Sequence, residues 1–426
     1  MKVLMFGWEF PPHITGGLGT ACFGMTKGLL KNKVEVLFVV PKAYGDESEE
    51  AVRLINASDV LIDIHSKENL EFWKNITYLE VNSSLVPYVG PEAFDNLVSQ
   101  DIKEEYETNS SVFEAKYIFS GKYGENLLEE VARYALVGAQ IAANSQFDVI
   151  HAHDWLTYAA GIAAKKASGK PLVVHMHATE FDRSGENINQ RVYDIEREGM
   201  MAADRVIAVS NLTRNIVITK YGIPAEKVVA VHNAVEPVEK LDLVEYTSHV
   251  PEKIVTFLGR VTYQKGPEYF IEAAYKVLQR DNNVRFVMAG TGDLLEKMIR
   301  RVAQLRMSSK FHFTGFLKGD SVDRMFGMSD VYVMPSVSEP FGISPLEAMR
   351  SNVPVVISKQ SGVAEILQHA LKVDFWDIDA MADAIYALLR YKSLPAMFAK
   401  YGAKEVDNLK WENAARHIKK VYADVL

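Results

Sequence analysis

Two glutamates, Glu339 and Glu347, stand eight positions apart in the segment Glu339-Pro-Phe-Gly-Ile-Ser-Pro-Leu-Glu347. The sequence between them predicts a turn followed by a helix. Ser344 is expected at the N-cap and Pro345 at the first helical position, with Glu347 completing a capping box. The turn amides and the positive helix end would face the same space as Glu339. A carboxylate beside several N–H groups suits a ligand that carries both hydroxyls and phosphate, such as a nucleotide sugar.

Two cations, Arg260 and Lys265, lie in the stretch Gly259-Arg-Val-Thr-Tyr-Gln-Lys-Gly266, between a predicted strand and a predicted helix. Cleavage of a sugar–diphosphate bond builds negative charge on the leaving group, and two fixed cations would stabilise that charge. Most exposed arginines and lysines are merely solvated. The position after a strand, next to Gly266, is what favours a functional role for this pair.

Glycines follow two other predicted strands. Gly16-Gly17-Leu18-Gly19 precedes a helix, so its amides could approach a phosphate, although an ordinary strand-to-helix turn is the alternative. The glycine spacing differs from the dinucleotide-binding fingerprint. For Gly290-Thr291-Gly292 a tight turn after the preceding strand is the favoured interpretation.

Two His-x-His pairs, His151-Ala-His153 and His175-Met-His177, fall on predicted strands, where residues two apart share a face. A zinc site is one interpretation, because such pairs can ligate metal. The favoured interpretation is metal-free, with His151 and His175 inside the sheet. His153, the adjacent Asp154 and His177 are then expected nearer its rim.

Composition limits the class of protein. The chain has 426 residues, a net charge of −8 and a single cysteine, Cys22. Its length predicts two domains, and its charge argues against nucleic acid and anionic lipid as partners. One cysteine excludes an internal disulfide, and it favours a reducing, cytoplasmic location. The absence of an apolar run of about 20 residues predicts a soluble protein without a membrane span.

The first part of the chain alternates short apolar runs with amphipathic stretches, which predicts a doubly wound parallel sheet. Residues 43 to about 112 are less regular and are expected to elaborate this domain. The predicted strands are Val3–Phe6, Val34–Val40, Val149–His151, Leu172–His177, Val206–Val209 and Val228–Val231, and the predicted helices are Thr20–Leu30, Leu127–Ala143, Leu156–Ala164, Ile195–Ala202 and Leu212–Tyr221.

After a polar stretch at 236–252, taken as the linker, the alternation restarts and predicts a second doubly wound unit. In such sheets ligands bind beyond the carboxyl ends of the strands and in clefts between domains. The second set of elements comprises Ile254–Leu258, Phe270–Leu278, Val284–Ala289, Leu294–Ala303, Phe311–Phe313, Val331–Met334, Leu346–Arg350 and Val355–Ile357.

Over nearly its whole length the chain resembles retaining glycosyltransferases of the GT-B fold, in the glycogen/starch synthase-like group. That resemblance implies two Rossmann-like domains facing a central cleft, at 1–240 and 241–410. A C-terminal helix, 411–426, would cross back to the first domain. The segments that carry the resemblance are Lys2-Val-Leu, Thr15-Gly-Gly-Leu-Gly19, Asp148-Val-Ile-His-Ala-His-Asp-Trp155, Pro171-Leu-Val-Val-His-Met-His177, Ala208-Val-Ser210, His232-Asn-Ala234, Gly259-Arg260, Gln264-Lys-Gly266, the Glu339/Glu347 pair and Trp411-Glu-Asn-Ala-Ala.

The resemblance also implies roles for residues of the first half. Gly16 and Gly17 would offer backbone amides to the distal phosphate of the donor. Asp154 and His177 would contact the transferred sugar, with His177 near the reacting carbon.

In the second half, the resemblance implies that Arg260 and Lys265 grip the diphosphate. Glu339 would hold the sugar hydroxyls, and Glu347 would bind the ribose. No metal or other cofactor is implied, because side-chain cations and helix ends take its place. The backbone amides that would assist Glu339 belong to Phe341, Gly342 and Ile343.

The function implied is transfer of glucose from ADP- or UDP-glucose to the non-reducing end of an α-1,4-glucan, with retention of configuration. A lipid or a small sugar as acceptor is one alternative. The other is a nucleotide-sugar epimerase or hydrolase on the same architecture.

Overall fold

The computed structural model describes residues 1–12, 17–44, 53–60, 62–63, 114–115, 119, 127–235 and 250–426. Among the residues that the structure describes, nine strands lie before residue 236, and seven of them form one sheet in the order β3-β2-β1-β6-β7-β8-β9. β4 and β5 form a separate antiparallel pair. The strands are β1 (Lys2–Phe6), β2 (Glu35–Val40), β3 (Arg53–Asn56), β4 (Ile62–Asp63), β5 (Glu114–Ala115), β6 (Val149–His153), β7 (Leu172–Met176), β8 (Arg205–Ala208) and β9 (Val228–Ala230).

The central strands of this sheet are buried along nearly their whole length because helices cover a sheet whose neighbours run parallel. The apolar runs of the sequence supply the side chains that this double burial requires. Six α-helices occur among the described residues before residue 236: α1 (Gly17–Lys31), α2 (Leu127–Asn144), α3 (Trp155–Ser168), α4 (Glu180–Ser184), α5 (Gln190–Ala202) and α6 (Asn211–Tyr221).

A second sheet of six strands has the order β12-β11-β10-β13-β14-β15, with every neighbouring pair parallel. The strands are β10 (Lys253–Leu258), β11 (Val284–Ala289), β12 (Phe311–Gly315), β13 (Val331–Met334), β14 (Val355–Ser358) and β15 (Leu371–Val373). The helices are α7 (Pro267–Leu278), α8 (Leu295–Gln304), α9 (Asp320–Gly327), α10 (Ser344–Arg350), α11 (Ile378–Arg390), α12 (Ser393–Val406) and α13 (Trp411–Ala423).

Each sheet contains a point at which the strand order reverses. In the first sheet β1 lies between β2 and β6, and in the second sheet β10 lies between β11 and β13. At such a switch point the loops after the two adjacent strands diverge and leave room for a ligand. Asp154 follows β6 in the first sheet, and in the second sheet Lys265 follows β10 and Glu339 follows β13.

The chain divides into two compact units. The first comprises Met1–His175, Ile195–Val206 and Val421–Leu426, and the second comprises Met176–Asp194 and Ile207–Lys420. Helix α13 therefore begins in the second unit and ends in the first. There the hydroxyl of Tyr422 lies 2.6 Å from Nδ1 of His151.

The two predicted doubly wound sheets are confirmed, whereas the predicted domain boundary near residue 240 stays a prediction. Strand β3 was not predicted: it lies inside the irregular stretch 43–112 and pairs with β2 as an edge strand of the first sheet. Most of that stretch, and most of the predicted linker at 236–252, lie outside the described residues. Among the helices that the structure describes, none combines the length and apolar character needed to cross a bilayer.

Candidate active site

Two loops at the carboxyl ends of neighbouring strands form the centre of the candidate site in the second unit. Strands β10 and β13 are parallel partners, with Thr256 opposite Tyr332. Because parallel strands end at the same edge, the loops that follow them, at 259–266 and 335–343, emerge side by side.

Gly266 brings these two loops into backbone contact. Its φ of 64° lies in the left-handed region, and a Cβ at this position would lie 2.1 Å from the carbonyl oxygen of Pro335. Only glycine fits both conditions. The amide of Val337 donates to the carbonyl of Gln264 at 2.9 Å, which fixes the segment after β13 beside Lys265.

Lys265 and Glu339 form an ion pair at the centre of this arrangement. The distance from Lys265 Nζ to Glu339 Oε2 is 2.5 Å, and the Ser336 hydroxyl donates to the same oxygen at 3.1 Å. The lysine side chain is 21% exposed and the glutamate 8%. The carboxylate is therefore held in place, while the ammonium group keeps a face toward solvent from which an anion could approach.

Arg260 is the second residue of the loop at 259–266. It is exposed, and its Nη2 donates to Gln264 Oε1 at 3.2 Å. Gly290 packs against the start of this loop, since a Cβ there would lie only 1.8 Å from the carbonyl oxygen of Gly259. The structure thus gives Gly290 a structural role, which is a close approach of two backbone segments.

The turn after Glu339 is held from both sides by backbone hydrogen bonds. The amide of Gly362 donates to the Glu339 carbonyl at 2.9 Å, and the amide of Val363 donates to the Phe341 carbonyl at 2.7 Å. Gly342 has a φ of 98°, a conformation that favours glycine. Ile343 completes the turn as the N-cap of α10.

The predicted capping box is wrong. Helix α10 begins at Ser344, so Ile343 is the N-cap and Ser344 the first helical residue, and no side chain of the described residues caps the helix. Ile343 already has helical dihedral angles, φ −78° and ψ −36°, so the helix starts one residue before the predicted position. The Ser344 hydroxyl instead hydrogen-bonds Tyr332.

Without a capping box, the Glu347 carboxyl has no structural role at the helix start. Burial raises its pKa, Arg350 opposes that rise, and Asp323 adds to it. Within the described residues no hydrogen bond occupies this carboxyl group. It is therefore available to a ligand hydroxyl.

His177 follows β7, in a segment that belongs to the second unit. Burial lowers its pKa to about 3, so the imidazole is neutral at physiological pH. Three residues further on, the short helix α4 begins with a capping box between Thr179 and Asp182. Asp182 also accepts a hydrogen bond from the Ser338 hydroxyl at 2.5 Å. Burial raises the pKa of Asp182, although these hydrogen bonds lower it in part.

In the first unit, Asp154 stands at the carboxyl end of β6 as the N-cap of α3. Its φ of 57° is unusual for a residue other than glycine, and its amide donates to the carbonyl of His175 at 2.9 Å. Strained backbone of this kind is concentrated at functional sites.

Gly17 begins α1, and no described atom lies within 4 Å of the position its Cβ would take. Gly16 lies outside the described residues.

His151, His153 and His175 form a buried cluster in the first unit. His153 and His175 are opposite one another on β6 and β7, and one nitrogen of each of the three rings lies within 4.8 Å of the others. β6 ends at His153, which places this residue at the carboxyl edge of the sheet, and its side chain is fully buried. The cluster geometry is compatible with a metal ion, and the metal-free interpretation stays a prediction.

Several polar residues of the site were not predicted from the sequence. Gln264, Ser336, Asp182 and Ser338 hold the predicted residues in place, and each is a common surface residue type with no distinctive spacing. Glu9 follows β1 and is buried; together with Asp154 it adds to the effect of burial in raising the pKa of the Cys22 thiol. The sequence signal that could have identified Glu9 is its position after β1, a strand at the switch point of the first sheet.

The two doubly wound sheets have the architecture of the GT-B fold. Residues 242–405 match the family described as glycosyl transferases group 1, and residues 98–239 match Glycosyltransferase Family 4. Together these matches span most of the chain. The two halves of the chain are thus similar to two families of glycosyltransferases.

Individual proteins are also similar to this chain. An uncharacterized glycosyltransferase of Methanocaldococcus jannaschii is 29% identical over 99% of this chain and 98% of its own length. A glycogen synthase of Mycobacterium tuberculosis is 22% identical over 99% of this chain and 94% of its own. Among solved structures, the catalytic domain of starch synthase IV from Arabidopsis thaliana, bound to ADP and acarbose, has a TM-score of 0.68 and 15% identity. The similarity covers all of this chain and 99% of that domain.

Proposed function

We propose that this glycosyltransferase moves glucose from ADP-glucose or UDP-glucose to the non-reducing end of an α-1,4-glucan, with retention of configuration. The observation that carries the proposal is the Lys265–Glu339 ion pair, in which a cation and a carboxylate lie within 2.5 Å of each other at a switch point. The similarity to a glycogen synthase over 99% of the chain, and to a starch synthase bound to ADP, supports the choice of substrates.

In this proposal Lys265 and the exposed Arg260 bind the diphosphate and stabilise the charge that develops on it. Glu339 accepts hydrogen bonds from sugar hydroxyls, and Glu347 accepts them from the ribose. The backbone amides proposed to assist Glu339 belong to Phe341, Gly342 and Ile343.

The remaining roles follow from the sequence resemblance. His177 lies near the reacting carbon, and its neutral imidazole contacts the sugar. In the first unit, Asp154 contacts the sugar, and Gly16 and Gly17 offer amides to the distal phosphate.

The reaction proposed is a displacement on one face of the sugar. Both glutamates are assigned to substrate binding, so neither is left to act as a covalent nucleophile in the manner of retaining glycosidases. The acceptor hydroxyl forms a new bond to the anomeric carbon on the face from which the diphosphate departs. The bond between that carbon and the phosphate oxygen breaks, and the departing phosphate takes the proton of the hydroxyl.

A panel of radiolabelled nucleotide sugars, each offered with and without glycogen, tests the proposal. The expected result is label in an elongated glucan, from ADP-glucose or UDP-glucose, in linkages that an α-1,4-specific glucanase releases. Label in a lipid or a small sugar would reject the glucan acceptor. Free sugar or an isomerised donor would place the chain among hydrolases or epimerases.

Removal of metal ions is expected to leave transfer unchanged. Lys265 and Arg260 supply the positive charge that a divalent cation supplies in metal-dependent phosphoryl chemistry. The measurement compares initial rates after prolonged dialysis against a strong chelator, with metal content determined in parallel. Loss of activity that added Mg²⁺, Mn²⁺ or Zn²⁺ restores would contradict the prediction, and zinc alone would direct attention to the cluster of His151, His153 and His175.

A further inference from the structure

Asp182 connects two segments of the second unit that are far apart in the sequence. Its Oδ2 accepts hydrogen bonds from the amide of Thr179 at 2.8 Å and from the Thr179 hydroxyl at 2.7 Å. Its Oδ1 accepts the Ser338 hydroxyl at 2.5 Å, across 156 positions of the chain. The Asp182 side chain is only 2% exposed. Both carboxylate oxygens are thus occupied, as burial of a carboxyl group requires.

The two segments are those that carry the proposed reaction. On one side, Thr179 is two positions after His177. On the other side, Ser338 immediately precedes Glu339, whose own backbone is fixed by hydrogen bonds to Gln360 and from Gly362. The Asp182–Ser338 hydrogen bond is therefore a direct polar link between the His177 segment and the Glu339 loop.

The bond to Ser338 is not needed to form helix α4. The capping box uses Thr179 and the amide of Asp182, and it is complete without Ser338. A carboxylate oxygen hydrogen-bonded at 2.5 Å by a hydroxyl is a short, charge-assisted contact, which fixes geometry more strongly than a bond between neutral groups. The hydrogen bond to the second carboxylate oxygen, Oδ1, therefore fixes the position of the Glu339 loop.

We propose that Asp182 is a positioning residue of the sugar-transfer site: through Ser338 it fixes the Glu339 loop relative to the His177 segment. The inference rests on the proposed function, because the Asp182–Ser338 hydrogen bond can affect the rate in this way only if His177 and Glu339 act on the same donor. Asp182 does not touch the sugar; its effect on the rate passes through Ser338.

Substitution Ser338→Ala tests the link, because it removes the hydroxyl and leaves Asp182 and its capping box intact. We expect kcat to fall roughly 10- to 100-fold, since small displacements of positioned groups cost that much. The KM for the nucleotide sugar and the unfolding temperature should change little. Ser338→Thr keeps the hydroxyl on a half-buried side chain and should restore most of kcat.

Ser329→Ala is the matched control. It removes a half-buried hydroxyl that bonds Thr256 at 2.7 Å and the Met325 carbonyl at 2.7 Å in the same unit, just before β13 begins. This variant should lower the unfolding temperature without lowering kcat. A loss of stability in Ser338→Ala comparable to that of Ser329→Ala, with kcat unchanged, would show that the contact is merely structural.

The outcomes separate this inference from the proposed function. If the wild type transfers sugar and Ser338→Ala does so at the same rate, the positioning role is wrong and the proposed function stands. If Ser338→Ala and Ser329→Ala both lower kcat and Ser338→Thr restores none of it, loss of the Ser338 hydroxyl is not the cause of the lower rate. The inference is then again overturned. If the wild type transfers sugar from no donor in the panel, the proposed function fails, and this inference fails with it.

Discussion

Replacement of Lys265 by alanine is expected to lower kcat about 100- to 1,000-fold, the cost of removing one group that stabilises a developing anion. The ammonium group lies 2.5 Å from Glu339 and is partly open to solvent, so it can neutralise a departing diphosphate. The change has a second effect, because it removes the cationic partner of a carboxylate that is only 8% exposed. Both effects act on the proposed transition state.

The measurement is steady-state kinetics with the preferred nucleotide sugar, accompanied by calorimetric titration with the matching nucleoside diphosphate. Lys265→Ala should weaken diphosphate binding as well as turnover, because the lysine is proposed to contact the leaving group before and after transfer. Lys253→Ala is the matched control. Lys253 forms an ion pair with Asp330 at 2.7 Å in the same unit, but its side chain is exposed, and such surface pairs contribute little. Near-normal turnover in Lys265→Ala would refute the role assigned to it.

Most of the fold could be predicted from the sequence because buried parallel strands leave a clear apolar signal. β1, β10 and β13 all appear as short runs of valine, leucine, isoleucine, methionine and aromatic residues. β3 could not be recognised, since it is a four-residue edge strand whose residues are only partly buried or exposed. At an edge, tertiary pairing decides whether a short segment becomes a strand, and composition says little.

Some features of the candidate site could likewise be predicted from the sequence, and others could not. Lys265 and Glu339 could be predicted to lie at the same edge of the second sheet, because each follows a strand whose carboxyl end lies there. The capping box could not be excluded, since Ser344-Pro345 and Glu347 have the required spacing; the helical dihedral angles of Ile343 decided against it. Asp182 and Ser338 were beyond prediction, because a single hydrogen bond across 156 positions depends on the final packing.

Replacement of Glu339 by glutamine is expected to give a folded protein with transfer reduced about 100-fold or more. Glutamine has nearly the same shape, but its amide is neutral and one of its two oxygens is exchanged for a donor. Lys265 would lose its counter-charge, and the carboxylate proposed to accept bonds from sugar hydroxyls would be gone. Because Lys265 is 21% exposed, solvent compensates part of the lost ion pair. The free energy of unfolding should therefore fall by only about 1–3 kcal/mol.

The nucleotide sugar and the free nucleoside diphosphate provide the decisive comparison. Glu339→Gln should weaken turnover of the sugar donor yet bind the diphosphate about as well as wild type, because its carboxylate is assigned to the sugar alone. Lys265→Ala should impair both. Glu272→Gln is the matched control, since Glu272 pairs with Arg301 at 2.6 Å on the surface of the same unit. Unchanged transfer by Glu339→Gln would reject the sugar-binding role. A loss of diphosphate affinity equal to that of Lys265→Ala would instead mean that Glu339 acts only by orienting the lysine.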